Sequence, residues 1–348
     1  MRRSIYGIFA LVMVLSMMLS ACTTPTVVPT TAPMETTAAP MEPTSIPDQT
    51  DGIELPFVDP ASLSGKIYAA GSSTVYPLAE AIAEQFRADG YAGELKIDSV
   101  GTGGGMERFC KTAETDIANA SRKIKAGEIE NCAAVNRTPI QFLVGLDALA
   151  IVINKENDFI KDLTLADLAK IFSDQSVKWS DINPEWPAED IKRFAPGTDS
   201  GTFDFFVEAV LAPAYDKDLD KSKEAFLKAA NLESSEDDNV LVQGVAGNKY
   251  AIGFFGFAYY PDNADKLNLI AVEGVTPSFQ TAEDGTYKLS RPLFIYSDAQ
   301  ILKSKPEVAA FVSYFLTFVN DYIQDVGYFP ISEDALNASK QAYLDAIQ

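Results

Sequence analysis

The chain has 348 residues, 47% hydrophobic and 22% charged, with 28 Lys and Arg against 49 Asp and Glu and no histidine. That is a globular composition, with length enough for one large domain or two medium ones. The formal net charge of −21 leaves no basic stripe for nucleic acid, and the missing imidazole removes Ser-His-Asp and Cys-His catalysis and most hydrolytic zinc sites. Lysine and carboxylate chemistry stay open. So does a small anionic ligand, because charges more than roughly 8 Å away are screened at physiological salt.

The chain starts with a basic pair, Arg2 and Arg3, and an apolar run from Ile5 to Leu19. The run is shorter than the ~20 residues a bilayer span needs and reads as a secretory signal. It ends Leu19-Ser20-Ala21-Cys22, which resembles the bacterial lipobox, so residues 1–22 are expected to be a lipoprotein signal with Cys22 lipidated. A plain signal with an incidental cysteine is the alternative. Residues 23–60 are rich in Thr, Pro, Ala and Met without apolar periodicity, which predicts a disordered tether. Its roughly 38 residues would reach on the order of 30–40 Å. An exported chain with two further cysteines, Cys110 and Cys132, is expected to join them as a disulfide; two buried free thiols are the alternative.

Along the body, Lys66–Ala70 is a β-prone run that meets Gly71-Ser72-Ser73-Thr74. Val75–Asp89 follows as an amphipathic helix with Leu78, Ile82 and Phe86 on one face. Glu94–Val100 is a strand leading to Gly101-Thr102-Gly103-Gly104-Gly105, with a helix starting near Met106. Thr115–Ala120 is a short strand ending in Ser121-Arg122, and Phe142–Asn154 is a long apolar strand suited to crossing between domains. Leu163–Phe172 is a helix. Lys192–Ala195 leads through Gly197-Thr198-Asp199-Ser200-Gly201-Thr202 into a helix from Phe203 to about Leu211. Tyr250–Tyr260 and Pro292–Tyr296 are strand regions, and Pro306 to about Gln324 is a long helix. Alternating strands and helices predict an α/β fold with mostly parallel sheets.

Three of these turns share one chemistry: glycine with Ser or Thr, between a strand and a helix start. Helix N-termini present unpaired N–H groups and a positive dipole end, glycine admits an anion closely, and the hydroxyls add donors. One such turn alone reads more readily as ordinary capping, and it is the three together that point to a site. The Gly101 turn has Met106 where the dinucleotide fingerprint needs its third glycine, and no Walker lysine follows any of the three. The donors therefore suit a small free anion.

The segments Gly71-Ser72-Ser73-Thr74-Val75-Tyr76-Pro77, Thr115–Lys125, Gly197–Phe206 and Gln243–Tyr260 together resemble the phosphate-binding component of the high-affinity phosphate ABC transporter. The resemblance implies a type II periplasmic binding protein, two α/β lobes closing on ligand about a hinge. Lobe 1 is expected at 62–147 and 259–348, and lobe 2 at 148–258. By position Ser73, Thr74, Thr102, Ser121, Ser200, Gly201 and Thr202 correspond to its oxyanion donors. The best-known branch has an aspartate where Arg122 stands, and an arginine where this chain has Ala195-Pro196-Gly197. Arg122 is thus expected to be the charged donor, with a surface ion pair as its alternative. Asp199 is the candidate acceptor for the phosphate proton, with Asp98 and Asp116 behind it.

The resemblance implies inorganic phosphate as ligand, permease subunits as partners, a lipid-anchored extracytoplasmic monomer, no cofactor and no catalysis. Sulfate or another tetrahedral oxyanion, a cell-surface phosphatase, and an adhesin are the competing readings.

Overall fold

Two principal apolar cores, one on each side of a pair of crossing strands, organise residues 52–348, which the computed structural model describes. The expected signal, Cys22 and the tether up to residue 51 lie outside the described residues.

The first lobe opens with β1 (Lys66–Gly71) and α1 (Tyr76–Ala88), whose Leu78, Ile82 and Phe86 are buried as their spacing predicts. There follow β2 (Glu94–Ser99), α2 (Gly101–Cys110), β3 (Ile117–Ala120) and α3 (Ala126–Ala134). The long strand β4 (Pro139–Asn154) then leaves the lobe: Phe142, Val144 and Leu146 belong to the first core, and Ala148 to Ile153 to the second.

The second lobe contains β5 (Asp162–Leu163), α4 (Leu165–Ile171), β6 (Lys192–Pro196) and α5 (Gly201–Phe206), which a π-helical turn, Val207–Leu211, extends. Then come α6 (Leu219–Leu227), β7 (Leu232–Ser235), α7 (Asp238–Ala246) and β8 (Ala251–Gly256). The short strands β9 (Leu267–Leu269) and β10 (Ala271–Val272) and helix α8 (Phe279–Glu283) complete it. The return strand β11 (Ser290–Asp298) leads to α9 (Ala299–Ser304), α10 (Pro306–Tyr322) and α11 (Glu333–Ile347) on the first lobe.

The strands run in the order β2-β1-β3-β11-β4-β8-β6-β7, with β9 against β4. Pairing is parallel within each lobe, β2-β1-β3 and β8-β6-β7, as expected. It is antiparallel at the centre, where β11 pairs with both β3 and β4, and β4 with β8. The cause is topological: the strand that brings the chain back must run against the one that took it out. The carboxyl ends of β1, β3 and β6 lead into Ser72, Ser121 and the turn from Gly197 to Ser200, and it is outside such ends that open α/β sheets hold ligands.

Several boundaries differ from expectation. The second core takes in Leu267, Ile270, Val272, Tyr287 and Leu289, so that lobe ends near 289 rather than 258. The reason is that β9 adds to β4 and β10 to β5 after the chain has passed residue 259. Helix α2 starts at Gly101, not near Met106. Gly101 has φ of +73°, which turns the chain out of β2, and Gly105 packs so closely on Gly71 that any Cβ would overlap it. Tyr250–Tyr260 is a strand only over β8, followed by a 3-10 turn at Phe257–Tyr259. The end of the expected tether is also part of the body. Ile53 N donates to Asn337 Oδ1 at 2.9 Å, and Pro56 O accepts from Ser313 Oγ at 3.3 Å. Cys110, closing α2, and Cys132, in α3, bring their sulfurs within bonding distance. Among the described residues no helix is long and apolar enough to cross a membrane.

Candidate anion-binding site

The β1–α1 turn meets the α5 start across the junction. Ser72, not Ser73, does the local capping: its Oγ accepts from Thr74 N at 3.2 Å and Val75 N at 3.4 Å. That leaves the next two hydroxyls to reach the other lobe. Ser73 Oγ donates to Asp204 Oδ2 at 2.9 Å, and Thr74 Oγ1 donates to Gly201 O at 3.3 Å. Gly201 must be glycine here, since an added Cβ would lie 2.6 Å from Thr74 Cα. On the second lobe Ser200 caps α5, its Oγ accepting from Thr202 N at 3.1 Å.

Beside this contact, Thr102 at the start of α2 joins Ser121 at the end of β3. Their hydroxyl oxygens are 3.2 Å apart, and Ser121 N donates to Thr102 Oγ1 at 3.1 Å. The first-turn N–H groups of α2 have no partner within the helix, and Gly101, Thr102, Gly103 and Gly104 line a cleft of about 620 Å³. Its other walls are Ser121 and Arg122 from the first lobe, and Phe205, Glu208, Ala209 and Leu219 from the second.

Arg291, absent from the sequence expectations, also lines this cleft. It enters from β11 and is only 8% exposed. Nε donates to Asp147 Oδ2 at 3.1 Å, Nη1 to Ser121 Oγ at 3.3 Å, and Nη2 to Gly201 O at 3.0 Å and to Thr74 Oγ1. Glu208 Oε2 stands 3.7 Å from Nη1, and the guanidinium carbon lies 3.9 Å from the centre of the Phe205 ring. One guanidinium thus touches hydroxyls of the first lobe and a helix start of the second. The signal was present: Asp147 is the one charged residue within the apolar run Phe142–Asn154, and Arg291 precedes another apolar strand. Neither pairing has a local motif.

Arg122 lines the cleft but is already engaged. Its Nη1 and Nη2 donate to Glu128 Oε2 and Oε1 at 2.9 and 2.7 Å, the ion pair weighed as its alternative. Asp199 is exposed and does not line the cleft. Asp98 is held by Lys96, Tyr68 and Arg108, Lys96 foremost, and its carboxyl is pulled down to about 2. Asp116 accepts from Tyr68 N and pairs with Lys305 at 2.7 Å. None of the three expected acceptors lines the cleft; among the described residues Glu208 is the carboxylate that does.

A PBP superfamily domain matches residues 58–317. Over 269 residues the chain is 36% identical to the phosphate-binding protein PstS of Staphylococcus saprophyticus, a match covering 76% of this chain and 80% of that one. The chain belongs to the PBP superfamily, within the PstS family. It is also 39% identical over 298 residues to protein SphX of Synechococcus elongatus, covering 83% of this chain and 84% of that protein. Among solved structures, a possible phosphate binding protein from Planctomyces limnophilus superposes with a TM-score of 0.74 at 36% identity, over 82% of this chain and 100% of that one. The fold is that of a type II periplasmic binding protein, two α/β lobes with a hinge and a cleft between them. Ala195-Pro196-Gly197 stand before Ser200-Gly201-Thr202 here, and the guanidinium that reaches this turn comes in from β11.

Proposed function

We propose that this chain captures inorganic phosphate outside the cytoplasm and delivers it to the permease subunits of an ABC transporter. The observation that carries this reading is the buried Arg291 guanidinium, touching both lobes where hydroxyl-bearing helix starts converge. Such a donor set forms charge-assisted bonds, roughly twice the strength of neutral ones. It outweighs a net charge of −21 that is spread over the surface and screened.

In this reading Thr102, Ser121, Ser200, Gly201 and Thr202 supply neutral donors, and Ser73 its main-chain N–H. The hydroxyls of Ser73 and Thr74 are on Asp204 and Gly201, so Thr74, whose N–H is on Ser72, drops from the donor set. Arg291 supplies the central charge, and Arg122 a second one at the mouth. Glu208 replaces Asp199 as acceptor for the phosphate proton. Phosphate keeps a proton at neutral pH and sulfate has none, so this carboxylate welcomes the first and repels the second. An anion held by donors of both lobes favours the form in which they are together.

The exported, Cys22-anchored, monomeric state and the Cys110–Cys132 disulfide belong to the same reading. Export and anchoring are supported by the Leu19-Ser20-Ala21-Cys22 ending, and the disulfide by the adjacent sulfurs. The PstS family is one of transport receptors rather than enzymes, and product release from a phosphate ester would contradict its extension to this chain. Retention of radiolabelled phosphate, but not sulfate, by the mature protein tests the proposal; equal retention of both favours the broader oxyanion reading.

A further inference from the structure

Asp147 and Arg291 are register partners on β4 and β11, at the point where these strands pass between the two cores. Asp147 has 0% exposure. Its Oδ2 accepts from the Nε of Arg291, and its Oδ1 has no hydrogen-bond partner among the described residues. Burial pushes this carboxyl upward and Arg291 opposes the push. An apolar pair in its place is often as stable or more so, so packing alone gives little reason for burying these charges.

The geometry supplies another reason. A guanidinium is a rigid plane with five donors, and fixing its ε edge fixes the direction of the other four. With Nε committed to Asp147, Nη1 faces Ser121 and the cleft, and Nη2 faces Thr74 and Gly201 at the contact between the lobes. We propose that Asp147 is a positioning residue for anion capture, aiming Arg291 into the cleft from the crossing strands themselves. Because lobe motions are absorbed at such crossings, the donor keeps its place while the lobes turn about it. This rests on the phosphate reading above.

The test is a set of phosphate titrations with thermal melts on the mature chain. Asp147→Leu removes the acceptor and is expected to weaken phosphate binding by about tenfold or more in a folded protein. Asp147→Asn keeps an oxygen for Nε and should restore affinity to within about threefold of wild type, since the aim depends on the acceptor. In an Arg291→Met background, Asp147→Leu should change affinity by less than about twofold, because the effect passes through Arg291. Wild-type affinity in folded Asp147→Leu overturns the proposal, as does an equal loss with and without Arg291. If Asp147→Leu does not fold, Asp147→Glu decides: it keeps the charge pair but shifts the guanidinium, so weakened binding at an unchanged melting temperature supports positioning, and unchanged binding overturns it. Wild-type protein that binds no phosphate overturns the functional reading as well, which separates the two failures.

Discussion

The hydroxyl of Ser73 donates to Asp204 across the junction of the lobes, at 2.9 Å, while Lys223 holds the other carboxylate oxygen at 2.8 Å. A serine has one O–H, so this hydroxyl cannot serve the lobe contact and an anion together. The pair acts as a clasp between lobes.

Ser73→Ala and Asp204→Ala should therefore weaken phosphate binding by similar amounts, and the double substitution by no more than either alone. Titration of the three variants checks this as a double-mutant cycle. A much larger, additive loss for Ser73→Ala would return its hydroxyl to the anion.

The two arginines should separate cleanly. Arg291→Met deletes a buried charged donor and is expected to cost roughly 1.5–3 kcal/mol of phosphate binding or more. It also strands Asp147, which should lower stability by on the order of 3–5 kcal/mol. Arg122→Ala removes a group that Glu128 already holds, at a side-chain exposure of 32%, and should cost ~1 kcal/mol or less, diminishing with salt. Calorimetry at two ionic strengths measures both; the reverse ranking would make Arg122 the central donor.

The three helix-start turns were legible because their chemistry is local: glycine, a hydroxyl and the end of a strand within a few residues. So was the crossing strand, from the apolar run around Leu149. Arg291 was not, because its partner Thr74 lies 217 residues away and no spacing encodes that meeting. The capping role also cannot be divided between Ser72 and Ser73 from adjacent serines in a sequence, because only the backbone turn decides which hydroxyl faces the helix start. The lobe boundary was misjudged for a related reason, since β9 and β10 are two or three residues long and gain their meaning only from pairing with β4 and β5.

Asp238, at the start of α7, gives a pH signature. Burial first, then Asp237 and Glu236, push its carboxyl from 3.8 up to about 6. Between those values the folded chain keeps a proton that the unfolded chain has released, so stability falls as pH rises through this window. Asp238→Asn should raise the melting temperature at pH 7 and change it little near pH 4. An equal shift at both values would remove Asp238 as the cause.

Mass mapping of unreduced protein should find a peptide joining Cys110 to Cys132. Cys132→Ser should lower stability by about 3 kcal/mol, the loop-closure value for 22 residues. Two alkylatable thiols in the unreduced mature protein would contradict the bond.

The most direct test is a calorimetric titration of the mature chain with phosphate, at neutral pH, with and without excess sulfate, on the wild type and on Glu208→Gln. The account predicts one phosphate per chain, wild-type binding unaffected by sulfate, and sulfate competition appearing once the Glu208 charge is gone. Sulfate displacing phosphate from the wild type as readily as phosphate itself would contradict it.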